Sequence, residues 1–269
     1  MFIFFIILCI GFITSCIILY LKQESLLFHP TPLQQPIQQW IADTYPNSDI
    51  NISTAEGITL QGWLLKKPST EKQPLIIYFG GNGEEVSGTA YHFEKFTDHA
   101  LLLINYRGFG ESEGQPSQEG LFNDALAIYD YISQHEDIDK QRIIAMGRSL
   151  GTGIAVHLAA HRPLQGVILA SPYDSITRVA QRYVPILPIS FLIKHPFNSI
   201  ALAPSITTPL LSLVAQQDTL IPPKHSYNLT EKWGGDHELQ LITFANHDNI
   251  PDNDIYWNTI NQFLAGFKK

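Results

Sequence analysis

The stretch Arg142-Ile143-Ile144-Ala145-Met146-Gly147-Arg148-Ser149-Leu150-Gly151 changes its periodicity within ten residues. Residues 142–146 form a short apolar, β-branched run suited to a buried strand, and from Leu150 to about residue 161 the pattern is helical. The turn between them has the form Gly-x-Ser-x-Gly. Glycines at 147 and 151 let two backbone segments pass closely, so Ser149 can hold a tight conformation with its hydroxyl exposed at the strand end. A strand that runs through such a turn directly into a helix is the building unit of an α/β layered domain.

The flanking sequence repeats that unit. Short β-branched runs at 50–53 and 59–65 predict a hairpin around Glu56-Gly57, and further strands are expected at 75–79, 101–105, 142–146, 166–170, 210–214 and 239–243. Helical patterns lie between them at 84–98, 118–134, 150–161, 225–233 and 254–267, with Ser117, directly after Pro116, as an N-cap. A hairpin followed by strand–helix repeats predicts a mainly parallel sheet with helices on both faces. One interval breaks the rhythm. Residues 172–207 are rich in proline and bulky apolar side chains, and a connection of that length reads as a lid-like insertion. It carries Arg178, Arg182 and Lys194 against Asp174 alone, a net +2. An apolar centre at 184–193 between cations suits an anionic membrane surface; the competing reading is plain packing on the sheet.

A serine hydroxyl needs a base, and the base a carboxylate to orient it. Asp218 follows the strand at 210–214, and His247 follows the strand at 239–243. Both therefore fall on loops at the carboxyl ends of parallel strands, the edge where α/β sheets bind ligands. Asp174, after the neighbouring strand, is the alternative acid. His157 and His161 stand four apart on one helix, as in a zinc pair, but that motif requires glutamate after the first histidine and Leu158 is there. A transition-state oxyanion needs two backbone donors: the N–H of Leu150, directly after Ser149, and one from the glycine-rich loop after Phe79, Gly80-Gly81-Asn82-Gly83-Glu84. The same loop is no phosphate loop, because the Gly-Lys-Ser/Thr ending is missing. No cofactor and no metal are required by this chemistry.

Composition narrows the classes further. The 269 residues include 17 Lys+Arg and 25 Asp+Glu, a formal charge of −8, and charged residues make up only 16%, against about a quarter in soluble domains. With no basic run to neutralise phosphates, a nucleic-acid partner is excluded. Both cysteines, Cys9 and Cys16, lie in the first 16 residues, so the rest has no disulfide, thiolate zinc site or cysteine nucleophile. Residues 2–21 are uncharged and almost wholly apolar, about 30 Å as a helix, which matches a bilayer core. The expected organisation is a single-pass transmembrane anchor at 1–22, an extended proline-bearing connector at 23–46, and a domain at 47–269 that includes the insertion. Ile13-Thr14-Ser15-Cys16 also has the look of a lipoprotein signal, although the apolar run continues past it. Lys22 as the first flanking charge favours a cytoplasmic domain by the positive-inside rule.

Together with the elbow, Asn105-Tyr106-Arg107-Gly108-Phe109-Gly110-Glu111-Ser112-Glu113-Gly114 and Pro116-Ser117-Gln118-Glu119-Gly120 resemble the α/β-hydrolase superfamily, specifically its membrane-anchored serine hydrolases, over roughly residues 25–265. Both segments are read as turn structure around the site. The resemblance implies an α/β-hydrolase fold, Ser149, Asp218 and His247 as the catalytic residues, and an oxyanion hole of Leu150 and, by alignment, Asn82. The group usually has His-Gly-Asn at that loop, and here Gly80 replaces the histidine. Relatives of this kind cleave acyl esters and thioesters of small-molecule or lipid-like substrates, or acyl chains on proteins. A serine aminopeptidase and a catalytically idle, membrane-tethered binding module are the alternatives.

Overall fold

The computed structural model describes residues 1–267. Its eight strands are β1 (Asp49–Ser53), β2 (Thr59–Leu65), β3 (Gln73–Phe79), β4 (Ala100–Ile104), β5 (Ile138–Arg148), β6 (Gly166–Ala170), β7 (Leu210–Ala215) and β8 (His237–Ile242), in one sheet of order β1-β2-β4-β3-β5-β6-β7-β8. The β1–β2 hairpin is antiparallel and joins β4 antiparallel; every pairing from β4 through β8 is parallel. Since β4 and β5 lie on opposite sides of β3, the winding reverses beside β3. That is where a crevice opens at the carboxyl edge of a doubly wound sheet.

Side chains along the central strands go alternately to two cores. Leu75, Ile77 and Phe79 of β3 join Leu102, Ile104, Ile143 and Ala145 on one face, whereas Ile76 and Tyr78 join Leu101, Leu103, Ile144 and Met146 on the other. The nine α-helices among the described residues are α1 (Phe2–Leu27), α2 (Gln35–Thr44), α3 (Gln118–Ile132), α4 (Leu150–His161), α5 (Ile176–Tyr183), α6 (Ile189–Leu192), α7 (Ser199–Leu202), α8 (Pro223–Glu231) and α9 (Asp254–Ala265). Helices α3 and α4 cover the first face; α2, α9 and a 3-10 helix at Val86–Lys95 cover the second. The fold is therefore α/β, with helices on both faces of a mainly parallel sheet, plus an N-terminal apolar helix none of whose residues is buried.

Two expectations change. The connector at 23–46 is not simply extended: α1 continues to Leu27, and α2 forms with Pro36 in its first turn, where a missing N–H leaves no intrahelical bond unmade. Its Ile41 is wholly buried in the second core. The interval at 172–207 is not one open loop either, since α5, α6 and α7 lie within it.

The approach of α4 to the sheet leaves no room for side chains. A Cβ on Gly151 would lie 2.0 Å from the Phe79 carbonyl oxygen, and one on Gly147 would lie 2.4 Å from the Gly151 carbonyl oxygen. Gly151→Ala should therefore lower stability by about 3 kcal/mol, read as a reduced urea midpoint. Gly88→Ala, where an added methyl meets nothing within 4 Å, should leave the midpoint unlowered.

Candidate active site

Ser149 sits between β5 and α4 with φ 52° and ψ −118°, a left-handed conformation for a residue with a side chain. Such a conformation costs about 1–3 kcal/mol and persists only when the surroundings impose it. Here the Ser149 N–H donates to the Ala170 carbonyl at 3.0 Å, and the Tyr173 hydroxyl donates to the Leu150 carbonyl at 3.1 Å.

The structure brings Ser149, His247 and Asp218 into one hydrogen-bonded line. His247 Nε2 is 2.9 Å from Ser149 Oγ, and His247 Nδ1 is 2.8 Å from Asp218 Oδ2. With the Nδ1 proton donated to the carboxylate, Nε2 is the acceptor for the serine hydroxyl. Asp218 is buried, and its other oxygen accepts the N–H groups of Leu220 at 3.0 Å and Ile221 at 2.7 Å. The carboxylate is thus fixed before it meets the imidazole. Chemically, this arrangement can take a proton from Ser149 and hold the charge that results.

The loop after β3 borders the same point. A Cβ on Gly81 would be 3.7 Å from Ser149 Cβ, so this loop lies beside the serine turn. The Gly81 N–H is donated to Glu84 Oε2 at 2.8 Å. Leu150 opens α4, and first-turn N–H groups have no intrahelical acceptor. At Gly80, the position where the resemblance implies histidine, the Tyr106 hydroxyl donates to the backbone carbonyl at 2.8 Å. The Asn105–Gly114 segment supplies the surrounding turns as expected, with Asn105 bonded to Val86, Gln61 and Glu85. The chain leaving α1 braces the loop from behind, because the His29 N–H donates to the Asn82 carbonyl at 2.9 Å and the Thr31 hydroxyl to the Gly83 carbonyl at 2.8 Å.

Sequence reasoning missed a clamp made by Glu84 and Arg148. The Glu84 carboxylate accepts from Gly81 N–H, from the Tyr78 hydroxyl at 2.9 Å, from the Thr89 hydroxyl at 3.1 Å and from Arg148 Nη1 at 3.2 Å. Arg148 Nη2 donates to the His247 carbonyl at 3.2 Å. One ion pair therefore ties the oxyanion loop, the serine turn and the histidine loop together. Burial works most strongly against the Arg148 charge, but Glu84, Tyr78 and Tyr256 together outweigh it and the guanidinium pKa is raised. No local pattern announces a pair 64 residues apart.

Asp174 does not reach His247. It is fully buried at the start of the insertion, with Oδ1 2.8 Å from His225 Nδ1, and accepts from Asn228 at 3.1 Å and Arg178 at 3.0 Å. Burial raises its carboxyl pKa, but these donors outweigh burial and hold it at about 2. His157 stacks on Phe122 with ring centroids 3.9 Å apart, and burial, with smaller contributions from His161 and Arg162, lowers its pKa to about 4. The insertion's cations are also engaged: besides Arg178, Arg182 donates to the Thr219 carbonyl at 2.9 Å and Lys194 pairs with Glu24 at 3.2 Å. Two of the three cations are thereby paired with carboxylates, Arg178 with Asp174 and Lys194 with Glu24.

Comparison with known proteins agrees with this architecture. The family described as serine aminopeptidase, S33, matches residues 70–193. The membrane protein YNL320W of Saccharomyces cerevisiae is 30% identical, over 81% of this chain and 80% of its own. Lysophosphatidylserine lipase ABHD12 of Danio rerio is 29% identical, over 79% and 66%. The crystal structure of an α/β hydrolase from Vibrio vulnificus superposes with a TM-score of 0.73 at 21% identity, covering 93% of this chain and 92% of that one. The chain belongs to the α/β-hydrolase superfamily.

Two predictions follow from these contacts. Asp218→Asn should lower kcat for p-nitrophenyl acetate by about 10⁴-fold, as when a triad histidine is held in the wrong tautomer, whereas Asp174→Asn should lower stability and leave most of kcat. Because the folded Asp174 pKa is about 2 and the unfolded value is near 3.9, its stabilisation is full above about pH 4 and is lost as pH falls toward 2. Urea midpoints of wild type and Asp174→Asn should therefore differ at pH 7 and converge near pH 2. For the clamp, Arg148→Met should lower kcat by about 10²-fold through misplacement, with KM little changed and native circular dichroism.

Proposed function

We propose that this chain is a membrane-anchored serine hydrolase that cleaves acyl esters or thioesters through an acyl-enzyme. The observation that carries the reading is the line from Ser149 through His247 to Asp218, which begins at a strained strand–helix turn. Ser149 Oγ attacks the acyl carbonyl while its proton passes to His247 Nε2, and Asp218 holds the resulting imidazolium. The N–H groups of Leu150 and Asn82 donate to the oxyanion. Collapse of the tetrahedral intermediate expels the alcohol or thiol, which takes the proton from His247. Water then enters, gives a proton to the same nitrogen and attacks the acyl carbon. The acid leaves and Ser149 regains its proton.

The exposed apolar helix α1 supports anchoring, as does likeness to a membrane protein, YNL320W. Likeness to a lysophosphatidylserine lipase supports a lipid-like acyl substrate. The family description favours a serine aminopeptidase as the second reading, so the substrate panel must include aminoacyl amides.

A fluorophosphonate probe should label the wild-type protein and not Ser149→Ala, and Ser149→Ala should retain under about 1% of ester hydrolysis. A folded wild-type protein that neither labels nor turns over any ester, thioester or amide would be an idle binding module.

A further inference from the structure

Helix α1 does not stand apart from the domain; its polar end is fastened to the insertion. Gln23 donates its side-chain amide to the Leu192 carbonyl at 3.0 Å and accepts the Lys194 N–H at 2.7 Å, a reciprocal pair that joins α1 to the end of α6. Lys194 Nζ reaches Glu24 at 3.2 Å and lies 4.8 Å from the Tyr20 ring centroid. Residues 192–194 are therefore level with residues 20–24, where the apolar run of α1 ends at Leu21 and the first charge, Lys22, follows. In a bilayer spanned by that run, this level is the boundary between acyl chains and headgroups.

The insertion presents apolar side chains next to that level. Phe191, one residue before the Leu192 contact, is 89% exposed, and Ile186 is 83% exposed. The backbone that carries Ile186 is held within the protein. The Gln181 amide nitrogen lies 3.2, 3.2 and 3.0 Å from the carbonyls of Val184, Pro185 and Leu187, and the Val184 and Leu187 carbonyls also accept the N–H groups of Leu187 at 3.1 Å and Ile189 at 2.9 Å. At its other side the insertion joins the candidate site: Arg182 and the Tyr183 hydroxyl both donate to the Thr219 carbonyl, directly after Asp218.

We propose that Ile186 and Phe191 form a second membrane contact, in which the insertion rests in the apolar boundary of the same bilayer that holds α1 and keeps the Asp218 side of the site against the lipid surface. This rests on the reading of α1 as a membrane anchor. The partner is the acyl–headgroup boundary itself. Anionic lipid is not required, because the contact is made by apolar side chains and two of the three nearby cations, Arg178 and Lys194, are paired with Asp174 and Glu24. A lipid ester can then reach Ser149 from the bilayer plane, whereas a soluble ester needs no such contact.

The full-length chain in phosphatidylcholine nanodiscs, with and without one-fifth phosphatidylserine, provides the test. Ile186→Cys and Phe191→Cys, made in a Cys9→Ser/Cys16→Ser background, carry a bimane label; Glu136→Cys is the distal control. Cys16, labelled in Cys9→Ser protein, reports on α1. Lipids with a nitroxide at acyl carbon 5 should quench labels at 186 and 191 about threefold more than at 136, and iodide should quench them less, equally in both lipid mixtures. Ile186→Asp/Phe191→Asp should lower hydrolysis of a bilayer-embedded long-chain ester by about tenfold and leave p-nitrophenyl acetate turnover unchanged. Quenching at 16 without quenching at 186 and 191 overturns the second contact alone. No quenching at 16 overturns the anchor and the contact with it. Quenching at 186 and 191 only with phosphatidylserine overturns the apolar account in favour of headgroup charge. The quenching arm needs no catalysis, so loss of the hydrolase reading would leave it intact.

Discussion

Glycine at position 151 lets α4 rest on the backbone of β3, and the geometry of the site follows from that contact. Any side chain there would displace the helix, and the turn before it would lose the closeness that holds Ser149 at φ 52°. The same closeness sets Gly81 beside Ser149, so donors from two different crossovers converge on one point. That point lies where the winding of the sheet reverses, and neighbouring loops diverge there to leave a crevice. The strain of the turn is small beside the apolar surface buried on both faces of the sheet, so the fold can hold a conformation that the residue alone would not adopt.

Much of the architecture was legible because its signals are local. The run ending at Met146, the glycines at 147 and 151 and the helical pattern from Leu150 fall within twenty residues, and the hairpin around Glu56-Gly57 within sixteen. The juxtaposition of Ser149, Asp218 and His247 was legible for another reason. Parallel strands bring their carboxyl ends to one edge, so the loops after β5, β7 and β8 open on the same side of the sheet. The choice of Asp218 over Asp174 came from the resemblance, since both aspartates follow parallel strands. What stayed hidden was ion pairing between distant residues. The pairing of Lys194 with Glu24 and of Arg148 with Glu84 depends on the folded path over many residues. The connector misled for a local reason: Pro30, Pro32 and Pro36 suggest extension, yet proline in the first turn of a helix is compatible with it.

The site is also supported from an unexpected side. After α1 the chain passes directly behind the loop that follows β3, where His29 and Thr31 take up its carbonyl groups and the Thr31 carbonyl receives the Gly110 N–H. The segment between the apolar helix and the domain is thus part of the wall of the crevice. Its buried Phe28 packs edge-on against His195 of the insertion and Phe197 beyond it. Three regions far apart in sequence share one contact zone.

Gly80 has a consequence for how this chain can vary. A Cβ at that position would lie 3.1 Å from both the Glu84 carboxyl carbon and Val86 Cγ1, so a larger residue needs space that the Glu84 side chain occupies. Positions 80 and 84 therefore form an epistatic pair. A histidine brought in at 80 meets the carboxylate that holds Gly81 and Arg148, and shortening Glu84 to make room releases both. Effects of exchanges at two such positions do not add. A loop grafted into this chain must therefore carry residues 80–84 as one block.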